Sequence, residues 1–307
     1  MYGVNIFQGV NLFNGNTITS GFDVKFYGGS AFRDPVNEIF ADHVKLHEAA
    51  GYLLAQQQFS RLMLEAGLRL ENHKLYGIEW APQAGVSYKA AEQTHLKFSF
   101  SKGFRTPNMR ELYMYAPANE TLLPERSFSY DLTGSQRLFD SRMYTELTLF
   151  YISGDNLIEI VQIGEGRVQN RNVGRFANKG IEMNLNYHIL SNLSMNVNGS
   201  FLDMEKPVIG APRQKYFAGL AYWPGKFTLH VGAQIIHKLY LVTGETPQTS
   251  DYTFMDAKIA FRPFKWIDVF VKGDNLLGMK YETMAGYPMP RATFMGGVSI
   301  TCPPRKF

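Results

Sequence analysis

The chain has 307 residues, 45% of them hydrophobic and 14% aromatic, with 19% charged residues, a formal net charge of +4 and one cysteine. So few charges among so many aromatics exclude a disordered chain, Cys302 alone excludes a disulfide framework, and scattered Lys and Arg residues leave no nucleic-acid footprint. No run nears the roughly 18–20 consecutive apolar residues of a spanning helix, so a helical membrane bundle is excluded as well.

In chain order, Met1 to Leu12 lacks the basic and then apolar regions of a secretory signal peptide, and none is expected. Beyond it, apolar residues recur with period two, the signature of half-buried strands. Leu62, Leu64, Ala66, Leu68 and Leu70 share one parity and are opposed by Glu65, Arg69 and Glu71. Ile181, Met183, Leu185 and Tyr187 oppose Glu182, Asn184, Asn186 and His188, and Leu193 to Phe201 repeats the pattern. With the weaker stretches included, the alternation predicts fifteen strands, near 2–13, 17–28, 46–58, 61–72, 82–89, 94–103, 125–136, 142–152, 172–188, 192–203, 213–222, 226–237, 252–262, 266–276 and 291–302. Their connections alternate in length, short at 14–16, 90–93, 137–141, 189–191, 223–225 and 263–265, long near 29–45, 104–124, 153–171, 204–212, 238–251 and 277–290.

A meander with tight turns at one end and long loops at the other is the pattern of an outer-membrane barrel. A soluble sandwich, propeller or lipocalin-like barrel would also alternate. Against these, Asp23, Lys25, Glu65, Arg69, Glu182, Asp256, Lys258, Asp268 and Lys272 all keep to the polar parity, while the apolar parity is nearly free of charge. Aromatics near strand ends, as at Phe26 and Tyr27, Phe150 and Tyr151, Tyr222 and Trp223, and Phe264 and Trp266, suit interfacial girdles.

Longer motifs carry a family resemblance. FSKGFRTPNMRELY (Phe100 to Tyr113) followed by NETLLPERSFSYDLTG (Asn119 to Gly134) resembles the C-terminal barrel half of TonB-dependent outer-membrane receptors. NVGRFANKGIEMNLNY (Asn172 to Tyr187), VKGDNLLGMKYE (Val271 to Glu282) and GYPMPRATFMGGVSI (Gly286 to Ile300) agree with that family in order and spacing. Residues 1–90 match it only as generic barrel strands. The chain departs from the pattern at its end, where Ile300 and Thr301 run into Cys302, Pro303 and Pro304 in place of a terminal aromatic.

The resemblance implies an all-β, antiparallel up-and-down transmembrane β-barrel, present in part. The expected division is a partial receptor barrel over 1–302 and a C-terminal tail over 303–307. A barrel of this family has 22 strands around a plugged lumen, so fifteen strands with no plug ahead of them make an expected fragment. Its complete form would sit in the outer membrane of a Gram-negative bacterium. It would import a ferric siderophore or similar iron complex, driven by an inner-membrane energy-transducing complex through the plug. Outer-membrane lipid and the barrel-assembly machinery are its further expected partners, and the fragment alone is expected to be inactive. The alternatives are a smaller self-contained barrel acting as a passive pore, or a structural or adhesion surface protein.

At the level of residues, Gly103, Pro107, Pro124, Glu125, Gly174, Gly180, Glu182, Gly273, Pro288 and Arg291 fall on the family's motif positions and are expected to be structural. Arg105, Arg110, Tyr113 and Tyr115 are the ligand candidates, because guanidinium forks and phenol faces suit an anionic aromatic chelate. For Arg105 and Glu125 the simpler expectation is an ion pair inside the lumen, and Arg110, Tyr113 and Tyr115 could equally contact lipid headgroups. His43 and His47 have a ligand-like spacing, but a solvated pair is the simpler expectation, and no metal or cofactor is assigned. His237 with Asp251 or Asp256 gives no nucleophile spacing, so no catalytic residue is assigned and no enzyme is expected.

Overall fold

Strands with one polar and one apolar face can satisfy their backbone only by pairing laterally, and short polar turns between them favour antiparallel neighbours. The computed structural model, which describes residues 1–33, 38–114, 117–164, 166–244 and 246–301, realises this meander. In chain order the elements are β1 (Tyr2–Val10), β2 (Asn16–Arg33), β3 (Glu38–Phe59), β4 (Leu62–His73), β5 (Gly77–Ala91), β6 (Thr94–Arg105) and α1 (Met109–Tyr113). Then come β7 (Glu125–Leu138), β8 (Met143–Asp155), β9 (Ile158–Gly164), β10 (Arg167–Asn172), β11 (Phe176–Leu190), β12 (Leu193–Met204) and β13 (Pro212–Tyr222). The last are β14 (Phe227–Val242), β15 (Gln248–Phe264), β16 (Ile267–Asp274), β17 (Glu282–Met284), β18 (Tyr287–Pro288) and β19 (Thr293–Ile300).

Fifteen of these form one sheet in sequence order, from β1 to β8, then β11 to β16, then β19. The expected strand number and order are therefore observed. Two small hairpins, β9 with β10 and β17 with β18, stand outside it in the long connections. By contact density the chain divides into two units. One takes Met1–Ala90, His95–Leu132 and Phe150–Ala177; the other takes Ala91–Thr94, Thr133–Leu149 and the chain from Asn178 onward. The expected tail at 303–307 lies outside the described residues.

The apolar parity faces outward. Along β4, Leu64, Ala66, Leu68 and Leu70 are exposed while Glu71 and His73 are buried, the reverse of a soluble core. On β3, Ala50 is 2% exposed and Leu53 is 53% exposed. An apolar face of this kind is stable against hydrocarbon, where each charge placed on it would cost about 2–4 kcal/mol at mid-depth.

Several expected loops are corrected. The stretches 29–45 and 238–251 are largely ladder, since Phe32 pairs with Ile39 and Tyr240 with Thr249. Hydrogen bonding persists there although alternation fades, because two-sided alternation is needed only where one face meets an apolar phase. The strand expected at 172–188 starts at Phe176. The expected loop 153–171 carries the β9–β10 hairpin, whose first strand is rich in β-branched residues (Ile158, Ile160, Val161, Ile163) ahead of Gly164 and Gly166.

Candidate functional site

The long connection between β6 and β7 folds around α1. Asn108 caps the helix, its Oδ1 accepting from the backbone N–H of Arg110 and of Glu111, and Glu111 Oε2 accepts in return from the Asn108 N–H at 2.9 Å. This reciprocal capping box satisfies donors that a helix start otherwise leaves open. Leu112 on the helix is buried, as are Leu122 and Pro107.

Arg105, at the end of β6, ties the loop to its stem. Its guanidinium donates to Glu125 Oε2 at 2.6 Å and to both oxygens of Glu111, at 3.0 and 2.8 Å. The structure thus gives the Arg105–Glu125 pairing that the sequence left open. Glu125 Oε1 also accepts from the Ile158 N–H at 2.7 Å, which ties the loop to β9.

Asparagines complete the connection. Asn119 Nδ2 donates to the Asn170 carbonyl at 2.8 Å, and the Asn170 N–H donates to the Pro117 carbonyl at 2.6 Å. Asn172 accepts from the Leu123 N–H at 2.9 Å and donates to the carbonyls of Leu123 and Asn156 at 3.0 and 2.7 Å. Loop and hairpin form one body, held by side chains that are 49 to 51 residues apart in sequence.

On this body Arg110 is exposed, with no carboxylate partner among the described residues. Tyr113 is half-buried, and burial followed by the nearby Glu120 carboxylate raises its phenol pKa. Tyr76, in the turn between β4 and β5, stacks on His73 at 4.9 Å between ring centres. Burial pushes its phenol from 10.0 to about 12, with smaller contributions from Tyr113, Tyr27 and Glu111. Its Oη is buried with no hydrogen-bond partner among the described residues. Tyr27 Oη meets His73 Nε2 at 2.7 Å, and His73 Nδ1 accepts from the Leu75 N–H at 3.1 Å, so Nε2 carries the proton. The arrangement brings the phenols of Tyr76 and Tyr113 near each other, with the exposed Arg110 on the same short helix as Tyr113. Of the four ligand candidates, Arg105 belongs to the clasp, Arg110 and Tyr113 share α1, and Tyr115 lies outside the described residues.

The remaining motif positions lie on strands, turns and connections. Gly174 and Gly278 adopt φ of +89° and +62°, which side-chain-bearing residues rarely adopt. A Cβ on Gly273 would meet Leu276 at 2.6 Å. Gly103 lies in β6, Gly180 on β11 pairs with Leu202 on β12, and Pro288 pairs with Glu282. Pro124 is buried and Arg291 is exposed. Glu182 lines a groove of about 300 Å³ with Glu146, Asn184, Asn198, Ser200 and Lys215. His43 pairs with Asp42, and His47 packs against Phe26 at 6.2 Å between ring centres. His237 meets Asp251 at 3.2 Å, an exposed pair.

Sequence reasoning missed several contributors. Asn108 and Glu111 were legible as an N-x-x-E capping signal. Asn275, 2% exposed, pins the last long connection by donating to the carbonyls of Met279 and Pro290 at 2.9 and 3.0 Å. Asn170, Asn172 and Tyr76 carried no local signal.

A profile of the TonB dependent receptor-like β-barrel family matches residues 2–276. The chain belongs to this family. TonB-dependent receptors are transport receptors of Gram-negative outer membranes; they take up small nutrient complexes and engage TonB. The vitamin B12 transporter BtuB of Vibrio cholerae is 22% identical over 273 residues, which are 86% of this chain and 44% of that protein. The siderophore receptor PirA from Acinetobacter baumannii shares the fold with a TM-score of 0.79 at 15% identity, over 97% of this chain and 54% of that one. The FrpB iron transporter from Neisseria meningitidis does so with a TM-score of 0.78 at 14% identity, over 97% and 54%. This TonB-dependent receptor chain spans about half the length of the relatives it matches.

Proposed function

We propose that the chain supplies the later strands of the barrel wall of an outer-membrane receptor that takes up a compact, anionic iron complex of the ferric-siderophore type. In this reading residues 1–302 are one portion of the barrel and do not transport alone, and the long connections face the cell exterior. The observation that carries it is the body built from α1 and the β9–β10 hairpin, which presents Arg110 and Tyr113 beside Tyr76. A delocalised guanidinium and phenol faces are suited to a planar, negatively charged chelate. Arg105 acts by holding this surface in shape.

The test uses a receptor that contains this chain. Arg110→Ala with Tyr113→Ala should keep its surface level and weaken binding of the receptor's ferric chelate by more than about tenfold. Arg105→Ala should instead lower the surface level. Unchanged affinity per receptor in the double variant would reduce the body to scaffolding.

A further inference from the structure

At the long-connection end of β3 the exposed parity changes from apolar to cationic. Leu53 and His47 share this parity with Lys45 and His43, while Leu46 and Glu48 on the other parity are buried. The neighbouring strands supply an aromatic step just below. Tyr2 pairs with Phe26 and Phe26 with His47, and the Tyr2 and Phe26 rings stack at 5.1 Å. Across β4, Trp80 pairs with Leu70 on the outward face, and both are about half exposed.

Lys74 joins this parity from the turn after β4. Its N–H donates to the His47 carbonyl at 3.0 Å, and its Nζ folds over β3 to the Lys45 carbonyl at 2.5 Å. Among the described residues neither Lys45 nor Lys74 has a carboxylate partner, and Asp42 is engaged by His43. The interior cation Lys25, by contrast, is neutralised by Glu48 at 2.7 Å. Tyr2, Phe26, His43, Lys45, His47 and Lys74 line a groove of about 410 Å³.

We propose that this groove binds the phosphate of a phosphorylated membrane lipid, with Lys45 and Lys74 on the headgroup and the acyl chains running down over Phe26 and Phe22. The inference rests on the reading that the exposed apolar parity faces lipid. Charge complementarity selects the headgroup: two ammonium groups with no carboxylate partner among the described residues stand beyond an aromatic step, at the depth where membrane phosphates lie. The groove's aromatic floor, and its continuity with the exposed side chains of Phe22 and Phe26, select a lipid over a soluble anion. A Lys near a charged membrane surface contributes enough that two together should favour the anionic lipid roughly thirtyfold.

The experiment folds the whole chain into phosphatidylcholine vesicles containing phosphatidic acid. Trp223→Phe and Trp266→Phe leave Trp80 as the only fluorophore of its kind. Brominated acyl chains, placed on one lipid or the other, then report which lipid sits near Trp80. Brominated phosphatidic acid should quench far more than its mole fraction alone predicts, inorganic phosphate should not displace it, and Lys45→Gln with Lys74→Gln should abolish the preference. Lys226→Gln, at a short turn, should retain it. Equal quenching by the two lipids in the parent chain would overturn the site, whatever the variants do, and so would displacement by inorganic phosphate. Failure of brominated phosphatidylcholine to quench Trp80 at all would instead contradict the outward-facing assignment on which the proposal rests.

Discussion

From β2 to β5 the polar parity is mostly charged, whereas along β11 and β12 asparagine amides dominate it, with Glu182, Ser194 and Ser200 among them. In the first region Asp23, Glu48, Glu71 and Glu79 are each under 10% exposed. Each is met by a cation: Arg69 on Asp23 and Glu71, Lys25 on Glu48, Arg126 on Glu79. In the second, Asn196 Nδ2 donates to Asn186 Oδ1 at 2.6 Å and Asn198 Nδ2 to Asn196 Oδ1 at 3.1 Å, and these three amides and Asn184 are all partly exposed. Both faces are polar, yet they should fail differently. A buried carboxylate that loses its cation is left charged and unsolvated, while an amide that loses a partner can turn to water.

That contrast can be broken most directly at Arg69. Arg69→Met leaves both Asp23 and Glu71 without their guanidinium and should cost about 3 kcal/mol, the low end for such pairs because Arg69 is itself 30% exposed. The comparable change in the other region, Asn196→Ala, should cost about 0.5–1.5 kcal/mol. Both are read as shifts in the urea midpoint of the chain folded in bilayers, and equal shifts would erase the distinction. Between them lies the outward face, where Leu68→Arg should cost about 2–4 kcal/mol if Leu68 meets the bilayer at mid-depth. Arg69 is therefore no more replaceable than Leu68, which parity alone does not reveal.

The smallest expected effect sharpens the comparison at the rim. Tyr76→Phe removes a buried hydroxyl that has no partner among the described residues, so stability at neutral pH should hold or rise slightly. Because the folded phenol titrates near 12 and the unfolded one near 10.0, the neutral form favours the folded chain. Its contribution is full below pH 10 and is lost as pH climbs towards 12. The parent chain should lose stability over that alkaline window and Tyr76→Phe should lose less, as followed by circular dichroism. Identical alkaline profiles would place Tyr76 in solvent.

What was legible in the sequence follows from which forces are local. The fifteen strands and their order could be read because the period-two signal repeats within each strand, as in Leu62 to Leu70. Strand lengths were underestimated at β2, β3, β14 and β15, where the ladder outlasts the alternation. The candidate site was legible only in part. The FSKGFRTPNMREL segment marked the loop and its Arg105–Glu125 option. The bonds that shape it run from Asn119 to Asn170 and from Leu123 to Asn172, and no window of the sequence brings those residues together. Tyr76 was invisible for the same reason, since its burial comes from neighbours on other strands.

The central claim is that one parity of each strand meets hydrocarbon and the other meets a polar interior. Spin labels placed singly at positions 64 to 69 of β4, in a Cys302→Ser background folded into bilayers, test it directly. Relaxation by oxygen, which concentrates in lipid, should peak at positions 64, 66 and 68, and relaxation by a water-soluble nickel chelate should peak at positions 65, 67 and 69. A profile without period two, or one with the two phases exchanged, would contradict the account.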